Sequence, residues 1–220
     1  MDSIRKIFRT GMGPSSSHTM GPKRAATAFA SRQPGAVSFR VTLFGSLAAT
    51  GKGHMTDRAV TEALAPRPVE ILWLPDVILP FHPNGMRFEA LGSDGAVRDS
   101  WQAYSVGGGS VRDEEHTKVI AEVYKLKRMD HILKWTVDEG KSFWEYVERC
   151  EGKEIWEHLA AAWRAMQACV RRGLEQEGVL PGGLGVPRKA SSYHMRARNQ
   201  AGFLKQTATI FAYALGVAEE

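Results

Sequence analysis

Three short segments of this chain combine histidine with hydroxyl, glycine or amide residues, a mixture suited to proton transfer and carboxylate binding. They read Ser-Ser-Ser-His-Thr at residues 15–19, Gly-Lys-Gly-His at residues 51–54 and His-Pro-Asn at residues 82–84. Histidine is the side chain that most naturally exchanges a proton near neutral pH, and hydroxyl and amide groups can hydrogen-bond a carboxylate. These segments therefore hold the candidate functional residues.

The serine-rich segment is predicted to be a rigid loop at the start of a helix. Gly-Pro pairs lie on both sides of it, at residues 13–14 and 21–22, and proline prevents a helix or a central strand from running through. A helix-forming run follows at residues 23–30. Since the free N–H groups of a helix N-terminus attract a carboxylate or a phosphate, the loop is a candidate anion site. The alternative is an ordinary serine-rich helix cap that binds no ligand.

The composition is that of an ordinary globular protein and excludes several functional classes. The 220 residues carry a net charge of +5, and no run of about 18 apolar residues is present to span a membrane. The first residues lack the apolar stretch and cleavage site of a signal peptide, so we expect a cytoplasmic protein. Cys150 and Cys169 alone indicate no disulfide framework. Because the basic residues are not clustered with aromatic residues, we expect no nucleic-acid partner and no membrane association.

The hydrophobic pattern predicts strands before residue 140. Residues 37–44 alternate between apolar and polar side chains, which is typical of a half-buried strand. Three further strands are predicted at residues 69–74, 87–91 and 96–104. A short helix is predicted at residues 56–64 and a hairpin turn at residues 92–95. Three glycines at residues 107–109 then indicate a bulge or the close approach of another group.

From about residue 141 the period changes to that of amphipathic helices. Apolar residues fall three or four apart from Phe143 to Leu174. A linker rich in proline and glycine follows at residues 181–190, and the apolar run at residues 204–218 is predicted to be a largely buried helix. Because a short apolar helix needs partners on several sides, we expect other protein to cover it.

Taken in order, the histidine-bearing segments and their flanks resemble one enzyme family. Residues 45–57 read Gly-Ser-Leu-Ala-Ala-Thr-Gly-Lys-Gly-His-Met-Thr-Asp, and residues 104–109 read Tyr-Ser-Val-Gly-Gly-Gly. Together with residues 15–19 and His-Pro-Asn-Gly-Met at residues 82–86, they resemble the iron–sulfur-dependent L-serine dehydratases (L-serine ammonia-lyases). Glu-Gly-Val-Leu-Pro-Gly at residues 177–182 is similar to the single-chain form of that family. The resemblance extends from about Ile4 to the last residue.

The resemblance implies an α+β fold, a mixed sheet-and-helix domain similar to the allosteric substrate-binding domain of some phosphoglycerate dehydrogenases, followed by a helical C-terminal segment. We expect the α+β domain at residues 1–140 and a helical segment at residues 141–180. Residues 181–220 are expected to be a linker and the first helix of a truncated α domain.

The resemblance also implies a reaction and its partners. L-serine is converted to pyruvate and ammonia by β-elimination on a [4Fe-4S] cluster, without pyridoxal phosphate. The implied partners are L-serine, a cluster-bearing α domain or subunit, and further copies of the chain in a homo-oligomer.

Within that reaction the loops are expected to supply a base and substrate contacts. By its place in the motif, His54 is the first choice for the base that removes the α-proton, and His82 is the second, as an alternative base or a substrate contact. The expected substrate-binding residues are Ser15, Ser16, Ser17, His18, Thr19, Lys52 and Asn84. Lys52 is expected to pair with the substrate carboxylate or with Asp57. His116 follows three acidic residues and is expected to form a structural ion pair.

Two features depart from the family pattern. A cluster needs three or four thiolates, whereas Cys150 and Cys169 lie in predicted helices and are interpreted as small buried hydrophobic residues. Only 24 residues separate Asp57 from His82, where the family has a longer insertion. The alternatives are therefore a catalytically inactive module that binds serine or another carboxylate, and a truncated remnant.

Overall fold

The computed structural model describes residues 1–11, 15–114, 122–181 and 183–220, which belong to two compact units. The first unit comprises residues 1–10 and 118–168, and the second comprises residues 11–117 and 169–220. The predicted α+β fold with a helical C-terminal part is confirmed. The domain boundaries expected at residues 140 and 180 stay predictions.

The second unit is built on a five-stranded mixed sheet. Its strands are β1 (Ser38–Phe44), β2 (Val69–Leu74), β3 (Gly85–Leu91), β4 (Val97–Ser105) and β5 (Val111–Arg112). Their order is β2–β1–β3–β4–β5, with β1 parallel to β2 and every other pair antiparallel. The four predicted strands are confirmed, as is the turn at residues 92–95, where Gly95 N–H donates to the carbonyl of Gly92 at 3.0 Å. Strand β5 is too short to show an alternating pattern.

Three helices complete the core of this unit. They are α1 (Gly21–Arg32), α2 (Gly45–Thr50) and α3 (Thr56–Leu64). Phe29 of α1 lies 5.9 Å from Phe39 of β1 and 5.7 Å from Phe88 of β3, measured between ring centroids, and all three are fully buried. Helix α3 has the predicted bounds, whereas α2 was not predicted. Gly45, at φ 49°, turns the chain directly from β1 into α2, where the Gly-Ser pair indicated only the end of a strand.

The segment before α1 differs from the predicted loop. Residues Ser16–Met20 form a single π-helical turn, and the N–H groups of Thr19 and Met20 donate to the carbonyl of Ser15 at 2.8 and 3.4 Å. This turn runs directly into α1. Pro22 does not interrupt the helix, because it occupies the first helical turn, where a missing N–H is tolerated.

The C-terminal part of the second unit contains its remaining helices. It contains the end of α6 (Ile155–Glu175), then α7 (Ala190–Arg198) and α8 (Gly202–Ala218). Helices α6 and α8 approach at two glycines, since a Cβ on Gly173 would lie 2.4 Å from the carbonyl oxygen of Gly216. The predicted helix is confirmed. Within this chain Phe203 is 79% exposed and Ile210 68%, and the expected coverage of the helix by other protein stays a prediction. The contacts inside the chain involve small buried residues, Ala212 and Gly216.

The first unit contains α4 (Met129–Glu139), α5 (Phe143–Glu151) and the larger part of α6. The apolar period predicted across residues 143–174 is divided at Gly152, whose φ of 80° ends α5. Glu151 accepts hydrogen bonds from Ser3 Oγ at 2.7 Å, from Ile4 N–H at 2.8 Å and from Tyr124 Oη at 2.8 Å, which holds the N-terminal segment. In the described part of the chain, no helix is long and apolar enough to cross a membrane.

Candidate active site

His18 lies in the π-helical turn with hydroxyl groups at both ring nitrogens. Its Nδ1 is 3.0 Å from Ser17 Oγ and 3.4 Å from Ser15 Oγ, and its Nε2 is 3.2 Å from Ser46 Oγ. The backbone N–H of His18 also donates to Ser15 Oγ at 3.2 Å. A hydroxyl can donate or accept, so this surrounding suits a neutral imidazole.

His54 lies on the turn between α2 and α3, and a backbone contact decides which of its nitrogens can accept a proton. Its Nδ1 is 2.9 Å from the carbonyl oxygen of Thr50. A carbonyl oxygen only accepts, so Nδ1 carries the hydrogen and Nε2 carries the lone pair in the neutral ring. Among the described residues, none hydrogen-bonds to this Nε2. The geometry therefore suits His54 to act as a base through Nε2.

The two imidazoles lie close together, with ring centroids 4.9 Å apart. Burial lowers the pKa of His18, and the nearby His54 lowers it further. His18 therefore stays neutral under conditions in which an exposed histidine would begin to take up a proton.

Two threonines connect the histidine-bearing segments. Thr19 Oγ1 donates to the carbonyl of His54 at 2.9 Å, and Thr56 Oγ1 donates to the carbonyl of His18 at 2.6 Å. Both threonines are buried. Each histidine is thus fixed by a side chain from the other segment, which sets the distance between the two rings.

His82 and Asn84 reach the same end of the sheet through backbone contacts. The N–H of Ser46 donates to the carbonyl of Pro83 at 3.1 Å, so the residue that contacts His18 also holds this loop. The N–H of Asn84 donates to Nδ1 of His82 at 3.1 Å, which leaves the hydrogen of the neutral ring on Nε2. His82 therefore has the opposite tautomer from His54 and is suited to donate a hydrogen bond.

Ser105 connects this loop to the start of α1. Asn84 Nδ2 donates to the carbonyl of Ser105 at 3.2 Å, and Ser105 N–H donates to the carbonyl of Asn84 at 3.0 Å. Ser105 is fully buried, and its Oγ has no hydrogen-bond partner among the described residues. A Cβ on Gly21 would lie 2.1 Å from that Oγ, so the first residue of α1 sits directly against it.

Other predicted site residues lie apart from these contacts. Lys52 is exposed, and its Nζ lies 5.6 Å from the centroid of the Trp73 ring. Asp57 accepts from the N–H of Arg58 at 2.8 Å. The side chain of Ser16 is exposed. His116 lies outside the described residues. The roles expected for these residues stay predictions.

Sequence reasoning gave no role to four residues that shape this site: Ser46, Thr50, Thr56 and Ser105. Three of them lie within the glycine-rich segment at residues 45–57 that carries the resemblance. Their contacts involve backbone carbonyls or another hydroxyl-rich segment, so no sequence spacing indicates them. For Ser105 the available signal was its position directly before the Val-Gly-Gly-Gly run.

The described residues do not fit an iron–sulfur cluster. Cys150 and Cys169 are both free and only partly buried, and Cys169 Sγ lies 3.5 Å from Arg172 Nη2. No group of three or more His, Cys, Asp or Glu side chains within the described ranges is arranged to hold a metal ion. A cluster needs three or four thiolates in one place, so no reaction step through a cluster is derived from this chain.

Two segments of this chain match one known protein family. Residues 3–70 and 63–116 match the family described as serine dehydratase beta chain, and together they cover more than half of the chain. This chain belongs to the serine dehydratase β-chain family. The family match consists of two segments that overlap at residues 63–70. The break between these segments therefore lies in the part of the sequence between Asp57 and His82.

Curated relatives of this β chain are named L-serine dehydratase. The protein of Streptomyces coelicolor is 34% identical over 273 residues, covering 99% of this chain and 60% of the relative. L-serine dehydratase 1 of Escherichia coli is 35% identical, covering 87% and 53%, and the Mycobacterium tuberculosis protein is 34% identical, covering 88% and 53%. The chain thus spans 53–60% of the length of these relatives. Because the first alignment is longer than the chain, that relative contains segments that this chain lacks.

Proposed function

We propose that this chain is the β part of an L-serine dehydratase, which converts L-serine to pyruvate and ammonia by β-elimination. Membership of the family and the names of its relatives support the reaction. The observation that carries the proposal is the hydrogen bond between His54 Nδ1 and the Thr50 carbonyl, because it leaves Nε2 as a proton acceptor. The chain spans about half the length of its relatives, so the complete reaction is proposed for this chain together with another domain or subunit.

In the proposed reaction His54 removes the α-proton of serine. The proton moves to Nε2, the electron pair of the broken C–H bond forms the double bond to the β-carbon, and the β-hydroxyl leaves as hydroxide with the electron pair of the C–O bond. Solvent supplies the proton that converts this hydroxide to water, and the imidazolium returns its own proton to solvent. The Thr50 carbonyl stabilises the imidazolium through Nδ1–H. Neutral His18 adds no like charge beside it. The resulting aminoacrylate hydrolyses to pyruvate and ammonia, and no residue of this chain is assigned to the departure of the hydroxyl.

The substrate carboxylate is proposed to bind between the π-helical turn and the loop at residues 82–84. His82 offers Nε2–H as a donor, since Asn84 N–H occupies its Nδ1. The hydroxyls of Ser15 and Ser17 lie beside the His18 ring and can donate to the same anion. The amide of Asn84 is bound to Ser105 through Nδ2, which supports a role for its Oδ1 as an acceptor from the substrate amine.

The [4Fe-4S] cluster expected from the resemblance has no matching ligands among the described residues. We propose that a cluster-bearing α domain or subunit holds it. Assembly into a homo-oligomer and a cytoplasmic location remain predictions from the sequence.

Anaerobic, serine-dependent pyruvate formation tests the proposal. The chain is assayed alone and mixed with a separately expressed cluster-bearing part from a related dehydratase. Pyruvate formed only in the mixture would support a β part that completes an active site. If the two folded proteins form a stable complex but make no pyruvate, the catalytic proposal is wrong.

A serine-binding module without catalysis is the second candidate, and the unmatched cluster ligands favour it for the chain alone. Calorimetric titration with L-serine separates the two. Binding of serine by the chain in an inactive mixture would support the module, whereas absence of binding and of turnover would reject both.

A further inference from the structure

The segment predicted to be a linker after residue 181 is part of a hairpin. The N–H of Leu180 donates to the carbonyl of Val186 at 2.8 Å, and the N–H of Arg188 donates to the carbonyl of Gly178 at 2.8 Å. Val179 and Pro187 form a β-bridge between these two contacts. We call the described residues 178–181 and 183–188 the linker hairpin.

The base of the linker hairpin is fixed to the end of α8. Arg188 Nη1 donates to Glu220 Oε1 at 2.9 Å, and the N–H of Lys189 donates to Glu219 Oε1 at 2.7 Å. Glu219 is buried, and its carboxylate also accepts from the first N–H of α7, that of Ala190. Because several contacts hold this base, the position of the hairpin is defined.

The tip of the linker hairpin lies against the turn that carries His54. A Cβ built on Gly53 would lie 2.7 Å from both Cγ and Cδ2 of Leu184. At the start of the same turn, a Cβ on Gly51 would lie 2.1 Å from the carbonyl oxygen of Leu47 and 2.7 Å from the Trp73 ring. The turn is therefore confined between the core of the unit and Leu184.

The hairpin and the neighbouring helices leave a space between them. A cavity of about 260 Å³ is lined by Thr19, Met55 and Ala59 and also by Leu180 and Pro181 of the hairpin. Leu184, in contrast, is in direct contact with Gly53, so the hairpin can constrain the turn at that point.

We propose that Leu184 is a positioning residue for His54. The orientation of the His54 ring depends on its bond to the carbonyl of Thr50, the last residue of α2. Met55 directly follows His54 with a φ of 58°, a left-handed conformation that a non-glycine residue keeps only when its surroundings enforce it. Leu184 prevents the turn from relaxing away from this conformation. The proposal rests on the proposed role of His54 as the proton acceptor.

The test is the tautomer of His54, read from the imidazole ¹⁵N resonances of the full chain. In the wild type, Nδ1 carries the hydrogen and the Nε2 resonance lies far downfield of that of Nδ1. In Leu184→Ala the turn relaxes, the bond to Thr50 weakens, and the two resonances converge. Val179→Ala is the matched control, because Val179 lies in the same hairpin and is 59% exposed, compared with 62% for Leu184. Leu184→Met is expected to keep the wild-type resonances.

Gly53→Ala provides an independent perturbation of the same contact. Gly53 is outside the left-handed region, so its backbone conformation allows alanine, and the three atoms nearest to the added Cβ all belong to Leu184. We expect Gly53→Ala to shift the ¹⁵N resonances of the His54 ring. When Gly53→Ala is introduced together with Leu184→Ala, most of the shift that Gly53→Ala adds should be absent. Unchanged His54 resonances in folded Leu184→Ala and Gly53→Ala would overturn the proposal. This readout requires no turnover, so an inactive mixture would contradict the proposed function without deciding the role of Leu184.

Discussion

Substitution of Gly21 tests the packing that joins the start of α1 to the end of β4. Gly21 has φ −61° and ψ −56°, which alanine adopts without strain. Its added Cβ would lie 2.1 Å from Ser105 Oγ and 2.9 Å from Ser105 Cβ, and both residues are buried. Ser105 is the last residue of β4 and is fully buried. We therefore expect Gly21→Ala to separate α1 from β4.

The magnitude follows from two opposing effects. Overpacking of a buried site costs about 1–3 kcal/mol, and replacing glycine by alanine in a helix recovers at most about 1 kcal/mol. When about 1 kcal/mol is recovered, the net loss is up to about 2 kcal/mol, which lowers the melting temperature by up to about 8 °C in a protein of this size.

Thermal unfolding followed by circular dichroism measures this loss, and Gly35→Ala is the matched control. Gly35 lies in a turn with no atom near its Cβ position, so the control should equal or exceed wild-type stability. Ser105→Ala combined with Gly21→Ala should recover part of the loss. If Gly21→Ala melts at the temperature of Gly35→Ala, the described packing of α1 on β4 is wrong.

Three further predictions concern stability. Gly173→Ala should destabilise the fold by about 1–3 kcal/mol, because its Cβ would overlap the backbone of Gly216; an unchanged melting temperature would contradict the helix crossing. Burial opposes ionisation of Glu151, but hydrogen bonds from Ser3 and its other partners outweigh this and lower its pKa below 4.5. Denaturant titrations should therefore show wild type more stable than Glu151→Gln above about pH 4.5, and this difference in unfolding free energy should shrink as the pH falls through the lowered pKa of Glu151. A difference that stays constant with pH would contradict the lowered pKa. Burial and His54 lower the pKa of His18 below 6.5, so wild type should lose more stability than His18→Asn as the pH falls through about 6.5; parallel pH curves would refute the shift.

The sheet could be predicted because its strands carry a local signal. Residues 37–44 alternate between apolar and polar side chains, and residues 69–74 are strongly apolar. They form β1, an interior strand of the sheet, and β2, an edge strand. Helix α2 could not be predicted in this way, since its start depends on the positive φ of Gly45. Hydrophobicity predicted α8 as an apolar helix, but it does not show which protein packs on the exposed side chains of that helix.

The histidines of the candidate site could be found from sequence, but their different roles could not. His54 follows a turn-forming residue and His82 precedes one. Nothing in the neighbouring sequence distinguishes a histidine that acts as a base from one that donates a hydrogen bond. The distinction arises from the Thr50 carbonyl at one ring and the Asn84 N–H at the other. Such backbone contacts become visible only when the chain is folded.

The most direct test of the account is the rate of pyruvate formation by His54→Ala in the anaerobic mixture with a cluster-bearing part. His131→Ala is the control, because His131 is exposed on α4 in the first unit. Loss of a general base lowers the rate by about 10²–10⁴-fold, so we expect that loss for His54→Ala and wild-type activity for His131→Ala. A folded His54→Ala chain that retains wild-type activity would contradict the assignment of His54 as the base that removes the α-proton.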